Sequence, residues 1–438
     1  MVDAVQRSTN DSAVNIIFSR PPPTTLGYRD SLIFPIYHSP RISRTLTCGL
    51  LLLLSGAVRP VLAAEQIPDD GKAIQPNLGI RFDLDSNIYS TSEDEIESWI
   101  SIITPAILFS TAPAQQRYSL LYEGEYGRVF ADSADDYADH ALTGVAQFQL
   151  SSRGQFDFAA ATEKGHWDRG SYQTDGLDPT SPSFPAGPDK FDRNKWGGKI
   201  RYGAEGNRGR LRFGFGGSQL DYTNNRERTQ FLDYETLSGS AGLSLLFHQR
   251  TAVVFDAVFT DIRYANERPG EVSRESDDWR LLLGLTWEAT AKTSGSIRFG
   301  LQRRRFDAPS LGKTSNPSWD VDVRWSPREH SHFDFATTRR NEETFSEGAF
   351  IDVSAYKVAW THEWSRGWES IIKLTRNDSR FVGSPRDQDF SESSLGLRYR
   401  QGRLLTWEAG YARRSRDSSL SELVYDGDMF SIGVNIGN

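Results

Sequence analysis

Six histidines follow residue 63: His140, His166, His248, His330, His332 and His362. His330 and His332 stand two apart and could offer two metal ligands, where a zinc site takes three or four. No further ligand set lies near them in sequence, so solvated turn residues are expected rather than a metal. A nucleophile would need a base beside it. The sequence has no G-x-S-x-G elbow and no convincing Ser/His pair. Glu123 and Glu125 share one face of an alternating stretch, as glycosidase carboxylates can, but the lining of a wet interior accounts for them more simply. No enzyme and no cofactor are expected. The acidic runs Glu93, Asp94, Glu95, Glu97 and Asp132, Asp135, Asp136, Asp139 could hold Ca²⁺ or bridge lipopolysaccharide through divalent ions; solvated outer loops are the simpler expectation.

The more informative charges are arginines of the second half. Arg280, Arg298, Arg324, Arg398 and Arg400 take the polar parity of alternating stretches, interleaved with Glu288, Asp320, Asp322, Glu369 and Glu408. These are the candidate lining residues of a lumen. A wall carrying both signs of charge holds a water column and sets ion selectivity. Guanidinium forks also match carboxylates and phosphates, which makes acidic sugars or phosphate-bearing solutes candidate passengers. Salt-bridge ladders that stiffen a barrel wall are the alternative, and the two roles are compatible.

The elements that must position these charges are β-strands. Trp279, Leu281, Leu283, Leu285 and Trp287 alternate with Arg280, Leu282, Gly284, Thr286 and Glu288. Trp319, Val321, Val323 and Trp325 alternate with Asp320, Asp322 and Arg324, and Phe430, Ile432, Val434 and Ile436 with Ser431, Gly433 and Asn435. Period two is the strand period. One face is apolar and the other polar, which suits either a soluble sandwich or a barrel that meets lipid outside and water inside.

The connections separate these cases. Short turns are expected at Thr111–Gln116, Ser151–Gly154, Glu205–Gly209, His248–Arg250, Ala289–Ser294, Ser326–Ser331, Ser365–Gly367 and Arg400–Arg403. Between them lie longer polar segments near 87–98, 131–139, 168–192, 222–233, 264–277, 305–317, 341–350, 380–389 and 415–427. Strict alternation of short and long gives an all-β, single transmembrane antiparallel up-and-down barrel of about 18 strands (about 16 as the fallback), with short periplasmic turns and long extracellular loops. Trp279, Trp287, Trp319, Trp325, Trp360, Trp364, Trp368 and Trp407 fall near strand ends and read as aromatic girdles at the headgroup level. A propeller would fit four short strands into each repeat where two long ones stand here. The 168–192 segment, with Pro179, Pro182, Pro185, Pro188 and Gly170, Gly176, Gly187, suits an extended ordered loop, expected to fold into the mouth as a constriction.

Composition agrees. The chain has 438 residues, a formal net charge of −8 and one cysteine, Cys48. That excludes an intramolecular disulfide framework and argues against a nucleic-acid partner. Beyond the N-terminal region no apolar run is long enough for a spanning helix. Residues 41–64 read as a signal peptide: Arg41 and Arg44, the Leu50–Leu54 core, then Val61-Leu62-Ala63-Ala64. Residues 1–40 read as a mis-assigned or disordered extension, 65–71 as a short periplasmic lead-in, and 72–438 as the barrel. Cleavage would remove the lone cysteine.

The order Ile74-Gln75-Pro76-Asn77-Leu78-Gly79-Ile80-Arg81-Phe82-Asp83, then Thr104-Pro105, Tyr118-Ser119-Leu120-Leu121-Tyr122-Glu123-Gly124-Glu125-Tyr126 and Asp135-Asp136-Tyr137-Ala138-Asp139-His140, resembles the putative β-barrel porin 2 family. It also resembles the EpsL-like outer-membrane proteins of exopolysaccharide operons. The resemblance is strongest over residues 74–150. It implies an outer-membrane barrel that helps secrete or pass a polysaccharide, with outer-membrane lipid, lipopolysaccharide, polysaccharide and export proteins as expected partners. It transfers no catalytic residue. The readings are therefore an exopolysaccharide export channel first, a general or substrate-specific diffusion porin second, and a structural or adhesive barrel acting through its loops third.

Overall fold

The computed structural model describes residues 74–437 apart from 113–115, 204–207, 249, 291, 365 and 366. The readings of 1–40, 41–64 and 65–71 lie outside the described residues. The first strands are β1 (Ile74–Asp85), β2 (Ser98–Thr111), β3 (Gln116–Val129), β4 (Tyr137–Gln149), β5 (Gly154–Trp167) and β6 (Asp189–Tyr202). There follow β7 (Gly209–Tyr222), β8 (Tyr234–His248), β9 (Thr251–Tyr264), β10 (Ser276–Thr290), β11 (Thr293–Phe306) and β12 (Lys313–Arg328). The last six are β13 (Ser331–Glu342), β14 (Phe350–Glu363), β15 (Trp368–Val382), β16 (Asp387–Gln401), β17 (Leu405–Ser418) and β18 (Tyr425–Gly437). Each pairs antiparallel with its neighbours in sequence, and β18 returns to β1 from Asp85↔Met429 to Asn77↔Gly437. The 18-stranded sheet is thus closed, and closure leaves no unpaired edge in lipid.

The alternation of side chains sets inside from outside. On β10, Trp279, Leu281, Leu283 and Leu285 are exposed while Ser276, Asp278 and Leu282 are buried. Cross-strand partners carry this parity round the wall: Trp279 pairs with Phe259 and Arg303, Arg280 with Val258 and Gln302. A band of exposed Leu, Phe and Trp of this extent meets lipid, not water. Trp287, Trp325, Trp360, Trp364, Trp368 and Trp407 lie toward the short-turn end, and Trp279 and Trp319 toward the long-loop end.

The strands run from 12 to 16 residues, longer than the roughly 10 that span a bilayer at a tilt. The excess stands above the apolar band on the long-loop side. Three expected long loops shrink accordingly, to 307–312, 383–386 and 419–424. Arg303, Arg304 and Arg305 pair with Ser315, Thr314 and Lys313 in the ladder. Polar residues on both faces hid these strand ends, because hydrophobic alternation is the signal that reveals them.

Candidate functional site

The lumen wall is charged from mid-barrel down to the short turns. Arg298 stands 3.2 Å from Asp256 and 3.1 Å from Asp320, and Asp256 also receives Arg212 at 2.8 Å. Gly242 lies between Arg212 and Asp256 in the register, and a Cβ there would sit 2.6 Å from Asp256 Oδ1. The missing side chain is what lets Arg212 reach across β8. Arg280 donates through Nε to Ser318 Oγ at 2.7 Å and lies 3.9 Å from Asp320. Arg324 forks onto Asp334 at 2.6 and 3.1 Å. Arg398 bridges Glu369 at 2.6 Å and Glu408 at 3.1 Å. Asp322 lies opposite Ser296 and Ala336, and Arg400 opposite Thr406, all on the polar parity. Glu288 is exposed near the short-turn end.

The proposed lining charges therefore fall on one parity, and most are joined in a chain of ion pairs rather than standing singly. Glu123 and Glu125 take the same inward parity on β3, and the Tyr137 hydroxyl donates to Glu125 at 2.7 Å. His330 lies 5.2 Å ring to ring from His362 of β14, and His332 Nε2 is 3.7 Å from Asp334. Among the described residues no group of three or more His, Cys, Asp or Glu is placed to hold a metal ion.

The long-loop half is different: its interior is packed. The β5–β6 connection, 168–188, folds inward. Its Tyr172 stacks on Trp167 at 4.0 Å and meets Phe345 of the β13–β14 connection at 4.8 Å. Trp167 belongs to a buried cluster with Phe191, Leu220, Tyr222 and Leu232; Phe345 belongs to another with Ile351, Val353 and Phe381. The first cluster lines β5–β7 and the second β14–β15, nearly half the ring apart in strand order, so Tyr172 links opposite walls. Phe184 of the same loop packs edge-on against Tyr89 at 5.2 Å. Each such ring removed from water stabilises the docked loop by about 2 kcal/mol.

Ion pairs pin the first third of the loop. Asp175 accepts from Arg386 Nη2 at 2.5 Å and lies 2.7 Å from Arg416 Nη2, the latter without hydrogen-bond alignment. The side chains of Asp175, Arg386 and Arg416 are 1, 4 and 0 % exposed, so this triad is shielded from water. Arg169 forks onto Asp135 at 2.7 and 2.8 Å, also pairs with Asp132, and donates to the Tyr89 hydroxyl at 3.1 Å. Asp132 and Asp135, read from sequence as a solvated cluster, thus take a guanidinium. The Ala134 N–H and then Arg169 hold the Asp132 carboxyl below the usual range. Burial followed by Asp135 pushes the Tyr89 phenol up. Gly170 has φ +78°, and a Cβ there would lie 2.0 Å from the Tyr89 carbonyl oxygen. Only glycine fits so close to that backbone.

Glu343, in the β13–β14 connection, also turns inward. It meets Arg304 at 2.7 Å and accepts from the Tyr264 hydroxyl at 2.5 Å. Burial raises its pKa, but Arg304, joined by the Tyr264 hydroxyl and Arg274, outweighs this and holds it below the usual value. Sequence reading missed Glu343, and it named His166 without its burial or its partners: His166 lies 2.9 Å from Asp139, 3.2 Å from Asp168 and stacks on Tyr137 at 4.2 Å. His166 meets its partners across the β4–β5 hairpin, whereas Glu343 reaches Arg304 and Tyr264 from a connection with no period to read.

The family model described as Putative beta-barrel porin 2 matches residues 73–438. No curated protein matches. Among solved structures, a BenF-like porin from Pseudomonas fluorescens Pf-5 is similar at 11% identity and TM-score 0.46, over 84% of this chain and 99% of that one. The outer membrane protein OpdK from Pseudomonas aeruginosa is similar at 11% identity and TM-score 0.45, over 83% and 98%. The siderophore receptor PirA from Pseudomonas aeruginosa is similar at 10% identity and TM-score 0.44, over 85% and 81%.

Proposed function

Since the chain belongs to the putative beta-barrel porin 2 family and is an outer-membrane β-barrel, we propose that it is a passage for small charged solutes, with a mouth closed by its own loops. The observation that carries this reading is the stacking of two halves: a charged lumen below, and above it the 168–188 loop pinned across the ring through Tyr172 and Asp175. Charged walls favour hydrated solutes by replacing part of their water shell. Loop undocking would admit them.

The exopolysaccharide reading rests on the resemblance of residues 74–150. A sugar polymer threading the barrel would need the mouth emptied throughout its passage, whereas a small solute needs only a brief opening. That favours the diffusion reading.

The test is planar-bilayer recording of the purified barrel beside a variant with residues 171–186 replaced by a short Gly/Ser linker. The expected result is low or flickering conductance in the parent and a steady, several-fold larger one in the variant. Equal conductance in both would show that the loop is no constriction. A folded but silent variant would reject the channel and leave the structural or adhesive reading.

A further inference from the structure

On the outer face of β11 and β12, above the apolar band, Arg303, Arg305 and Lys313 stand together and exposed. Arg305 and Lys313 are directly opposed across the ladder, and Arg303 is the next outward residue on β11. Like charges placed opposite one another on a sheet are destabilising. One carboxylate answers them: Asp277, 3.1 Å from Arg305. Among the described residues Arg303 and Lys313 make no ion pair. Neighbouring outward cations are held differently. Arg339 is forked onto Asp352 at 3.0 and 2.7 Å, and Arg263 lies 2.5 Å from Asp261 and 2.6 Å from Asp307.

Level with Arg303 is Trp279, and below it are Leu301 and Phe299; the three are 50, 58 and 57 % exposed. Trp279 is the cross-strand partner of Arg303, so the ring at the headgroup level and the first cation share one rung. The surface is amphipathic in the vertical direction: acyl-chain contacts below, and from the rung of Trp279 upward three cations answered by one carboxylate. It faces the membrane's outer leaflet, since these positions lie at the long-loop ends of their strands.

We propose that Arg303, Arg305 and Lys313 form a binding site for the phosphates of the outer-leaflet glycolipid, with its acyl chains laid over Trp279, Phe299 and Leu301. A phosphate offers acceptors to both guanidiniums and the ammonium, and relieves the repulsion between Arg305 and Lys313. The site is independent of transport through the lumen. It assigns one stretch of the wall, β11–β12, to ordered lipid.

Native mass spectrometry of the detergent-purified barrel tests this, with bisphosphorylated lipid A as the probe. Each basic residue near a charged lipid surface contributes about 1 kcal/mol, or about fivefold in affinity. R303S is expected to weaken binding about fivefold, and R303S/R305S/K313S about a hundredfold. Fully dephosphorylated lipid A should bind the unaltered barrel no better than lipid A binds the triple variant. Inorganic phosphate at millimolar concentration should not displace the lipid. Equal binding of dephosphorylated lipid A to the unaltered barrel would overturn the proposal without any variant having to fold. So would unchanged binding by a triple variant that keeps its heat-modifiable migration, or displacement by inorganic phosphate alone.

Discussion

Asp175→Asn removes one charge from a shielded triad and leaves its shape nearly intact. In the parent, Asp175 balances Arg386 at 2.5 Å and Arg416 at 2.7 Å. After the change two guanidiniums share a dry site with no carboxylate between them. Removing one partner of a buried ion pair costs about 3–5 kcal/mol. Water can re-enter a loosened mouth, so the lower value, about 3 kcal/mol, is the better figure. At about 1.4 kcal/mol per tenfold, that shifts the docked-to-undocked ratio roughly a hundredfold. The barrel wall should be untouched, because its 18 strands are closed by backbone ladders in which this side chain takes no part. The assay is single-channel recording at neutral pH: open probability should rise by up to two orders of magnitude while the open-state conductance stays that of the parent's rare openings. An open probability within twofold of the parent, in a barrel whose 171–186 deletion does open, would refute the role given to Asp175. The loop would then be held by Tyr172 and Arg169 alone.

Arg398→Ala should leave Glu369 and Glu408 facing one another without the guanidinium that bridges them at 2.6 and 3.1 Å; the lumen should become more cation-selective, read as a shift in reversal potential under a salt gradient, and thermal unfolding should come several degrees earlier. Acid should open the mouth. Asp132 and Glu343 have carboxyls held below the usual range, so the docking stability they contribute is present above the unfolded carboxylate pKa and is lost as pH falls through their depressed values. Open probability is therefore expected to be flat from pH 7 to about 5 and to climb below about 4, and a rise already complete at pH 6 would count against these groups.

Period-two alternation determined the strands and their two faces, and the alternation of short and long connections determined their number. The faces were legible because a barrel wall has lipid on one side and water on the other, so every second residue faces a different solvent. The parity of Arg280, Arg298, Arg324 and Arg398 followed from the same rule; the proline and glycine spacing of 168–192 pointed only to an extended ordered loop, and its place in the mouth was an added expectation. Only the tertiary structure decided which charges meet. Arg212 and Asp256 join across a strand because Gly242 carries no side chain, and Asp175 finds Arg386 at a separation of 211 residues. The contacts that fill the mouth were equally out of reach. Tyr172, Phe345 and Glu343 sit in connections with no period to read, and their contacts exist only because closure of β18 on β1 brings opposite walls within reach of one loop. A local repeat is written in neighbouring residues, whereas the packing of a lumen depends on the geometry of the whole ring.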